Sequence, residues 1–152
     1  LANLIDKLSW TKDLEGFVLF NRYYSPDIDI DKLKITSANI FSHPDEMSTI
    51  LRWIALLSDK IEQDLAATTG VHDGKGVIKM LLAGAQVVQI ASILYKNGPE
   101  YLSQMIDEVK TWMEKHNYSK IEDFRGKMSY ENIKNPSAFE RIQFMKFYSK
   151  IE

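Results

Sequence analysis

The sequence predicts an α/β fold with parallel strands, and three observations lead to it. Helical and strand-like segments alternate along most of the 152-residue chain, which is the pattern of parallel sheets. The run from Phe17 to Phe20 is continuously apolar, as in strands that are covered on both faces. About two dozen residues separate the strand candidates at 61–67 and 86–91, which suits one compact helical crossover.

The order of the elements follows from hydrophobic periodicity and from the residues that start or stop helices. The polar and aromatic stretch 22–42 is long for a connection, which indicates a functional loop or short strands. In chain order we predict helix 1–9, strand 17–20, helix 43–57, strand 61–67, helix 74–83, strand 86–91, a long helix from about 99 to 115 and a last helix within 135–152.

Four positions are predicted to mark helix ends. Ser42 resembles an N-cap, with Asp45 three residues later as an approximate capping box. Asp73 is placed to cap the following helix, and Gly84 stands where a left-handed helix terminator is expected. Three strands leave both edges of a sheet open, so the chain looks like part of a larger α/β fold. The start at Leu1, a helical pattern without Met, agrees with that expectation.

The composition excludes several classes of protein. The chain is 45% hydrophobic and 26% charged, which is ordinary for a folded domain. A net charge of −2 gives no electrostatic case for binding nucleic acid or an anionic membrane. With no cysteine, the chain has no disulfide, thiolate metal site or cysteine nucleophile, which suits a cytoplasmic protein. No apolar run reaches the length of a transmembrane helix.

The ends of the predicted strands are the candidate site. In parallel α/β folds, ligands bind where strands end and loops begin. Thr69 and Gly70 follow the second strand, and Ala91 and Ser92 follow the third. A glycine permits close approach of backbone to a ligand, and the helix after it offers free N–H groups for a phosphate. Asn21, at the end of the first strand, is a candidate hydrogen-bond donor to a substrate. From spacing alone, a tight turn explains Gly70 equally well.

Other motifs are weaker. Gly74 and Lys75 invite a P-loop interpretation, but Gly76 follows where Ser or Thr is required. The histidines lack metal-ligand spacing, so solvated or capping roles are expected. Three aspartates alternate with isoleucines, which favours a solvated edge ribbon over a calcium site. The histidines are His43, His72 and His116. The aspartates are Asp27, Asp29 and Asp31.

Five blocks, in the right order, resemble dihydroorotate dehydrogenases, especially their bacterial dihydroorotate dehydrogenase-like branch. The likeness covers nearly the whole chain. The blocks are 17–22 (FVLFNR), 70–74 (GVHDG), 77–85 (VIKMLLAGA), 88–92 (VQIAS) and 123–127 (DFRGK). The resemblance implies that residues 1–134 form the last three βα units of an FMN-binding (β/α)8 TIM barrel. Residues 135–152 would then be a C-terminal amphipathic helix packed on the same domain.

The resemblance also implies roles for the strand ends. The backbone at Thr69, Gly70, Ala91 and Ser92 would bind the phosphate of the FMN cofactor, and Asn21 would bind a dihydroorotate-like substrate. The loop 36–39 would lie beside the flavin. The family usually has Gly-Gly at the first pair of positions and Gly-Thr or Gly-Ser at the second. Its catalytic base, Cys or Ser, and its flavin-contacting lysines correspond to no residue of this chain, so we expect the isolated chain to be inactive.

The leading hypothesis is therefore that the chain is part of an FMN-dependent oxidoreductase, which oxidises dihydroorotate to orotate in pyrimidine biosynthesis. One alternative is a related FMN barrel with another substrate. Another is a non-catalytic module that binds a phosphate-bearing ligand and covers its open strand edges by pairing with a second copy, as a homodimer.

Overall fold

A computed structural model of the chain describes residues 2–11, 13–22, 26–37 and 39–140. The prediction of a helix beyond residue 140 lies outside this part of the chain. The elements are α1 (Ala2–Ser9), β1 (Gly16–Leu19), β2 (Pro26–Asp29), β3 (Lys34–Ser37), α2 (Met47–Leu57), β4 (Asp64–Ala67), α3 (Gly74–Ala83), β5 (Val87–Val88), α4 (Ser92–Asn97), α5 (Tyr101–Lys115) and α6 (Ser137–Glu140).

The sheet confirms an α/β fold with parallel strands. Its order is β1-β4-β5, and both pairings are parallel. Val18 pairs with Ala66, and Ala66 pairs with Val87. All three strands therefore end at the same edge, and α2 and α3 are the crossovers between them.

One face of the sheet is packed and the other is open. Leu19, Leu65 and Ala67 are buried with α2 and α3 in the core. On the opposite face Val18 is 55% and Val87 is 50% exposed. The expectation that the apolar run of β1 is covered on both faces is therefore wrong for the described chain. The helices lie on one side of the sheet, and alternate side chains of a strand point to opposite faces.

The long connection after β1 contains the short strands that its length predicted. β2 and β3 form an antiparallel two-stranded ribbon, separate from the main sheet. Ile28 pairs with Ile35 on one face, and Asp29 pairs with Lys34 on the other. Asp29 accepts hydrogen bonds from the backbone N–H groups of Asp31 and Lys32 in the turn. The solvated ribbon is thus confirmed.

Two of the predicted helix ends are confirmed and one is wrong. The side chain of Asp73 accepts a hydrogen bond from Gly76 N, and Gly84 has a φ of 111°. Ser42 and Asp45 do not form a capping box. Instead His43 caps a short 3₁₀ helix, Pro44–Glu46, that leads into α2. Ser42 makes tertiary hydrogen bonds, which compete with capping for its hydroxyl.

The second and third strands are shorter than predicted, and α4 was not predicted. Gln63 precedes the strand, and its side chain donates to the carbonyl of Ser9. The ladder of β5 extends through a bond from Gln89 N to Ala67 O. The six residues of α4 are too few to show a helical periodicity.

The segment after α5 runs across the ends of α3 and α2. Gly126 N donates to Leu81 O, and Tyr130 N donates to Ala55 O. α6 then begins after Pro136, where a helix start was predicted, and Phe139 packs half-buried against the core. Across the described ranges, the helices are too short or too polar to cross a lipid bilayer.

Candidate functional site

The carboxyl ends of β1, β4 and β5 surround a cavity of about 230 Å³. It collects the residues that follow each strand and part of the segment that precedes α2. The five site residues predicted from sequence, Asn21, Thr69, Gly70, Ala91 and Ser92, all line it. The other lining residues are Arg22, Ile40, Ser42, Thr68, Val71, Gln89 and Ile90.

The Thr69 loop is tied to the end of β1. Thr69 has a φ of 78°, which is unusual for a residue with a side chain. Its hydroxyl donates to the carbonyl of Phe20 at 3.0 Å, and Thr68 N donates to Leu19 O at 2.9 Å. These bonds hold the loop in place, so the Thr69 side chain supports the cavity wall.

Packing within the chain explains why residue 70 is a glycine, without any ligand. It is buried with a φ of 78°, and a Cβ at this position would lie 2.5 Å from Met47 N, at the start of α2. Gly74 is similar, because a Cβ there would lie 2.5 Å from Cβ of Glu108 in α5. Close packing against α2 and α5 therefore accounts for both glycines, where the sequence suggested a tight turn as the alternative to a ligand.

The start of α3 is not free to bind a phosphate, which corrects the sequence prediction. Glu108 Oε2 accepts a hydrogen bond from Gly74 N at 2.8 Å. Asp73 Oδ1 accepts one from Gly76 N at 2.7 Å. These two carboxylates take up two of the N–H groups that were expected to face a ligand.

The donors available to a ligand lie instead at Ser92 and Ile93. Ser92 begins α4, and within the described chain no group accepts a hydrogen bond from the backbone N–H of Ser92 or of Ile93. The Ser92 hydroxyl accepts a hydrogen bond from Ser42 N at 3.0 Å. Because the hydroxyl oxygen is the acceptor in that bond, its own hydrogen stays available to a ligand.

His72 has a role that the sequence did not predict. Its Nε2 lies 2.9 Å from the hydroxyl oxygen of Ser42, which is buried. Burial lowers the pKa of His72 below its usual value of 6.5, and the positive charges of Lys96 and His43 add to this effect. Neutral His72 therefore holds Ser42, and through it Ser92, in position.

Lowering the pH from about 7.5 to about 5.5 is expected to destabilise the chain through His72. Since its pKa is lower in the folded state, the unfolded chain binds the proton more readily. The stability contributed by His72 is complete above the unfolded pKa and is lost as the pH falls towards the folded value. Urea midpoints at both pH values measure this loss.

In that comparison, His72→Gln should show a smaller drop than the wild type. His116→Gln, at the far end of α5, controls for the removal of one imidazole. Equal drops in the wild type and His72→Gln would contradict the assignment to His72.

Arg22 is the charged residue among the cavity residues that the sequence did not predict. Its Nη1 donates to the carbonyls of Asn39 and Ile40 at 2.6 and 2.9 Å. Its Nε pairs with Glu46 Oε2 at 3.0 Å. Burial acts to raise the pKa of Glu46, but hydrogen bonds from His43 N and from Arg22, with the charge of Arg22, lower it overall. Arg22 thus clamps the segment before α2 onto the end of β1.

Asn21 lies beside this clamp. Its side chain is exposed, and Oδ1 accepts a hydrogen bond from Arg22 N at 2.8 Å. Among the residues that the structure describes, none accepts a hydrogen bond from the amide nitrogen of Asn21, which is left for a ligand. Of the loop expected beside the flavin, Thr36 lies in β3, and Asn39 contacts the cavity through Arg22.

The histidines do not converge on a metal site. His43 has the capping role that was expected, while half-buried His72 is neither solvated nor a cap. In the ranges that the structure covers, no group of His, Asp or Glu side chains is placed to hold a metal ion.

Fold and site together define an α/β protein with parallel strands and a small polar cavity at their carboxyl ends. No family model matches the chain. It is 36% identical over 66 residues to the "putative dihydroorotate dehydrogenase A (fumarate)" of Streptococcus uberis, which covers 43% of this chain and 21% of that protein. It is 25% identical over 129 residues to the catalytic subunit of dihydroorotate dehydrogenase B (NAD(+)) of Thermoplasma volcanium. That match covers 83% of this chain and 43% of the T. volcanium protein.

A protein of Streptococcus agalactiae with the same name as the S. uberis relative is 32% identical over 90 residues, covering 59% of this chain and 28% of its own. The chain is therefore a distant, partial homologue of dihydroorotate dehydrogenases, which confirms the resemblance read from its sequence. It spans less than half the length of each of these relatives.

Proposed function

We propose that this chain is the C-terminal part of an FMN-dependent oxidoreductase related to dihydroorotate dehydrogenases, and that its cavity binds the FMN phosphate. The observation that carries the proposal is the convergence of the ends of all three parallel strands on one cavity. Paired loops from the last two strands of a (β/α)8 barrel commonly form a phosphate site. The relatives' names supply the reaction, oxidation of dihydroorotate.

The residues present fit a phosphate group. A cavity of about 230 Å³ accommodates a phosphate and the first carbons of an ester, but not a whole flavin mononucleotide. The N–H and hydroxyl groups of Ser92, which lines the cavity, are donors suited to its oxygens, and the adjacent N–H of Ile93 also lacks an acceptor among the described residues. The backbone of Thr69 and Gly70 forms the opposite wall.

In this proposal the chain binds and orients, and the cofactor supplies the redox chemistry. FMN, when bound, accepts a hydride from a substrate. Asn21 would hold the substrate, since its amide nitrogen is free to donate to a carbonyl or carboxylate oxygen. Thr69 and the Arg22 clamp keep the walls of the cavity rigid, and burial of Ser42 excludes water from one side.

The open sheet face supports a larger barrel. In a (β/α)8 barrel, side chains from one face of the strands fill the interior and helices cover the other face. Val18, Ala66 and Val87 form the face of this sheet that α2 and α3 leave uncovered. Apolar side chains on an uncovered face are what three βα units taken from a barrel would present.

Direct titration tests the phosphate site. We expect the 152-residue chain to bind FMN more tightly than riboflavin, which lacks the phosphate, as measured by quenching of flavin fluorescence. Ser92→Ala should weaken FMN binding by about 2- to 10-fold, the usual effect of one hydrogen bond, and leave riboflavin binding unchanged. Ser103→Ala, exposed on α5, is the matched control. Equal affinity for the two flavins would refute the proposal that this cavity binds the FMN phosphate.

A second candidate, a self-assembling module without catalysis, rests on the same open face. Two copies would bury Val18 and Val87 and cover the open strand edges. Sedimentation of the purified chain separates the candidates. A colourless dimer that Val18→Lys converts to monomer would favour the module, and a yellow protein would favour the flavin site. A flavin protein without affinity for dihydroorotate would indicate a related FMN barrel.

A further inference from the structure

Arg22 carries the charge of the cavity. Of the twelve residues that line it, Arg22 is the one with a charged side chain. The side chain is mostly buried, at 21% exposure. Desolvating a charge is costly unless it is paired, and the carboxylate of Glu46 pairs with this guanidinium.

The pairing leaves one nitrogen of this guanidinium unused. Nη1 and Nε bind the carbonyls of Asn39 and Ile40 and the carboxylate of Glu46. Within the described part of the chain, Nη2 donates to no acceptor. An arginine and a carboxylate usually pair through two parallel bonds, here through Nε and Nη2. That arrangement does not form here, and Glu46 Oε1 instead accepts a hydrogen bond from His43 N at 2.7 Å.

The clamp therefore fixes the plane of the guanidinium while it spares two N–H groups. Three hydrogen bonds to the segment that precedes α2 leave the Arg22 head little freedom to rotate. A donor held in advance loses little entropy when it binds a ligand. Planar, paired N–H groups with a permanent charge match phosphate oxygens better than an ammonium does.

We infer that Arg22 binds the ligand's phosphate directly through Nη2, and that it makes the cavity selective for phosphate esters over the corresponding uncharged alcohols. This inference rests on the proposed phosphate site and adds the residue that determines its specificity. The neutral donors at Ser92 and Ile93 would bind any oxygen acceptor, whereas a charged donor adds a preference for an anion.

Arg22→Gln tests the inference. We expect it to weaken FMN binding by about 10-fold or more, the loss typical of a charge-assisted hydrogen bond, with riboflavin binding unchanged. Arg22→Lys should retain more FMN affinity than Arg22→Gln, because the charge is kept. A purely structural clamp would instead lower the affinities for FMN and riboflavin together, and that result would overturn the inference, as would an unchanged FMN affinity.

Glu46→Gln is the matched control, because it removes the charged partner and leaves Arg22 in place. We expect its FMN affinity to equal or exceed that of the wild type. A loss as large as that of Arg22→Gln would show that the clamp matters rather than the free nitrogen. Circular dichroism spectra verify folding, and if Arg22→Gln does not fold, the comparison of Arg22→Lys with Glu46→Gln decides.

The proposed flavin function and the anion site can fail separately. If the wild-type chain does not distinguish FMN from riboflavin, the proposed function is wrong. Inorganic phosphate then becomes the probe. A phosphate-dependent rise in melting temperature that Arg22→Gln abolishes would support the anion site, and no rise in the wild type would overturn it.

Discussion

Replacing Gly70 by alanine is expected to lower the free energy of unfolding by about 3 kcal/mol, whereas the same change at Gly126 should cost only about 1 kcal/mol. Both glycines have a positive φ, 78° and 72°. An alanine at either position pays for the left-handed backbone. At Gly70 the added Cβ would also lie 2.5 Å from Met47 N, while at Gly126 nothing lies within 4 Å.

The clash at Gly70 is with backbone, so it is not easily relieved. Met47→Ala shortens a side chain but leaves its backbone N and Cα where they are, and should not rescue Gly70→Ala. Urea unfolding without any flavin measures the stability of Gly70→Ala, of Gly126→Ala and of the double variant that combines Gly70→Ala with Met47→Ala. If Gly70 served only the approach of a ligand, Gly70→Ala would resemble Gly126→Ala in stability and would differ only in FMN binding. That outcome would favour the interpretation of Gly70 as a binding residue over close packing against α2.

Local rules explain which parts of the fold were predictable. Asp73 and Gly84 mark the ends of α3 through contacts within a few residues, so their residue types sufficed. The convergence of Asn21, Thr69 and Ser92 followed from a general property of parallel strands, whose carboxyl ends meet at one edge of a sheet. Both kinds of inference need no knowledge of distant contacts.

The rest depended on contacts between distant residues. Ser42 satisfies the preference for an N-cap, yet its hydroxyl contacts His72, 30 positions away. His43 takes the capping role instead, and histidine is not among the preferred caps. The contacts of Arg22 span 17, 18 and 24 positions. Hydrophobic periodicity does not predict such long-range pairs. These pairs nevertheless determine which hydrogen-bond donors of the cavity are free.

The chain alone, saturated with FMN, is expected to oxidise dihydroorotate at least about 100-fold more slowly than a complete relative, because a positioned general base usually contributes about 10²–10⁴-fold. The S. agalactiae relative is the positive control. Orotate formation, followed by absorbance with a dye as electron acceptor, measures both. Flavin binding by the chain is verified first, so that inactivity is not mistaken for an empty site.

The physical reason lies in which side chains the chain offers to a reacting substrate. Removing a hydride from a C–H bond needs a base that takes the neighbouring proton, on the side opposite the flavin. The open sheet face offers Val18, Ala66 and Val87, none of which accepts a proton. Among the described histidines, His72 contacts a cavity residue, Ser42, through a hydrogen bond. His72 itself does not line the cavity. Turnover that survives in His72→Gln would show a base elsewhere in the chain. Turnover that His72→Gln abolishes, with FMN affinity unchanged, would instead make this positioning histidine a catalytic one.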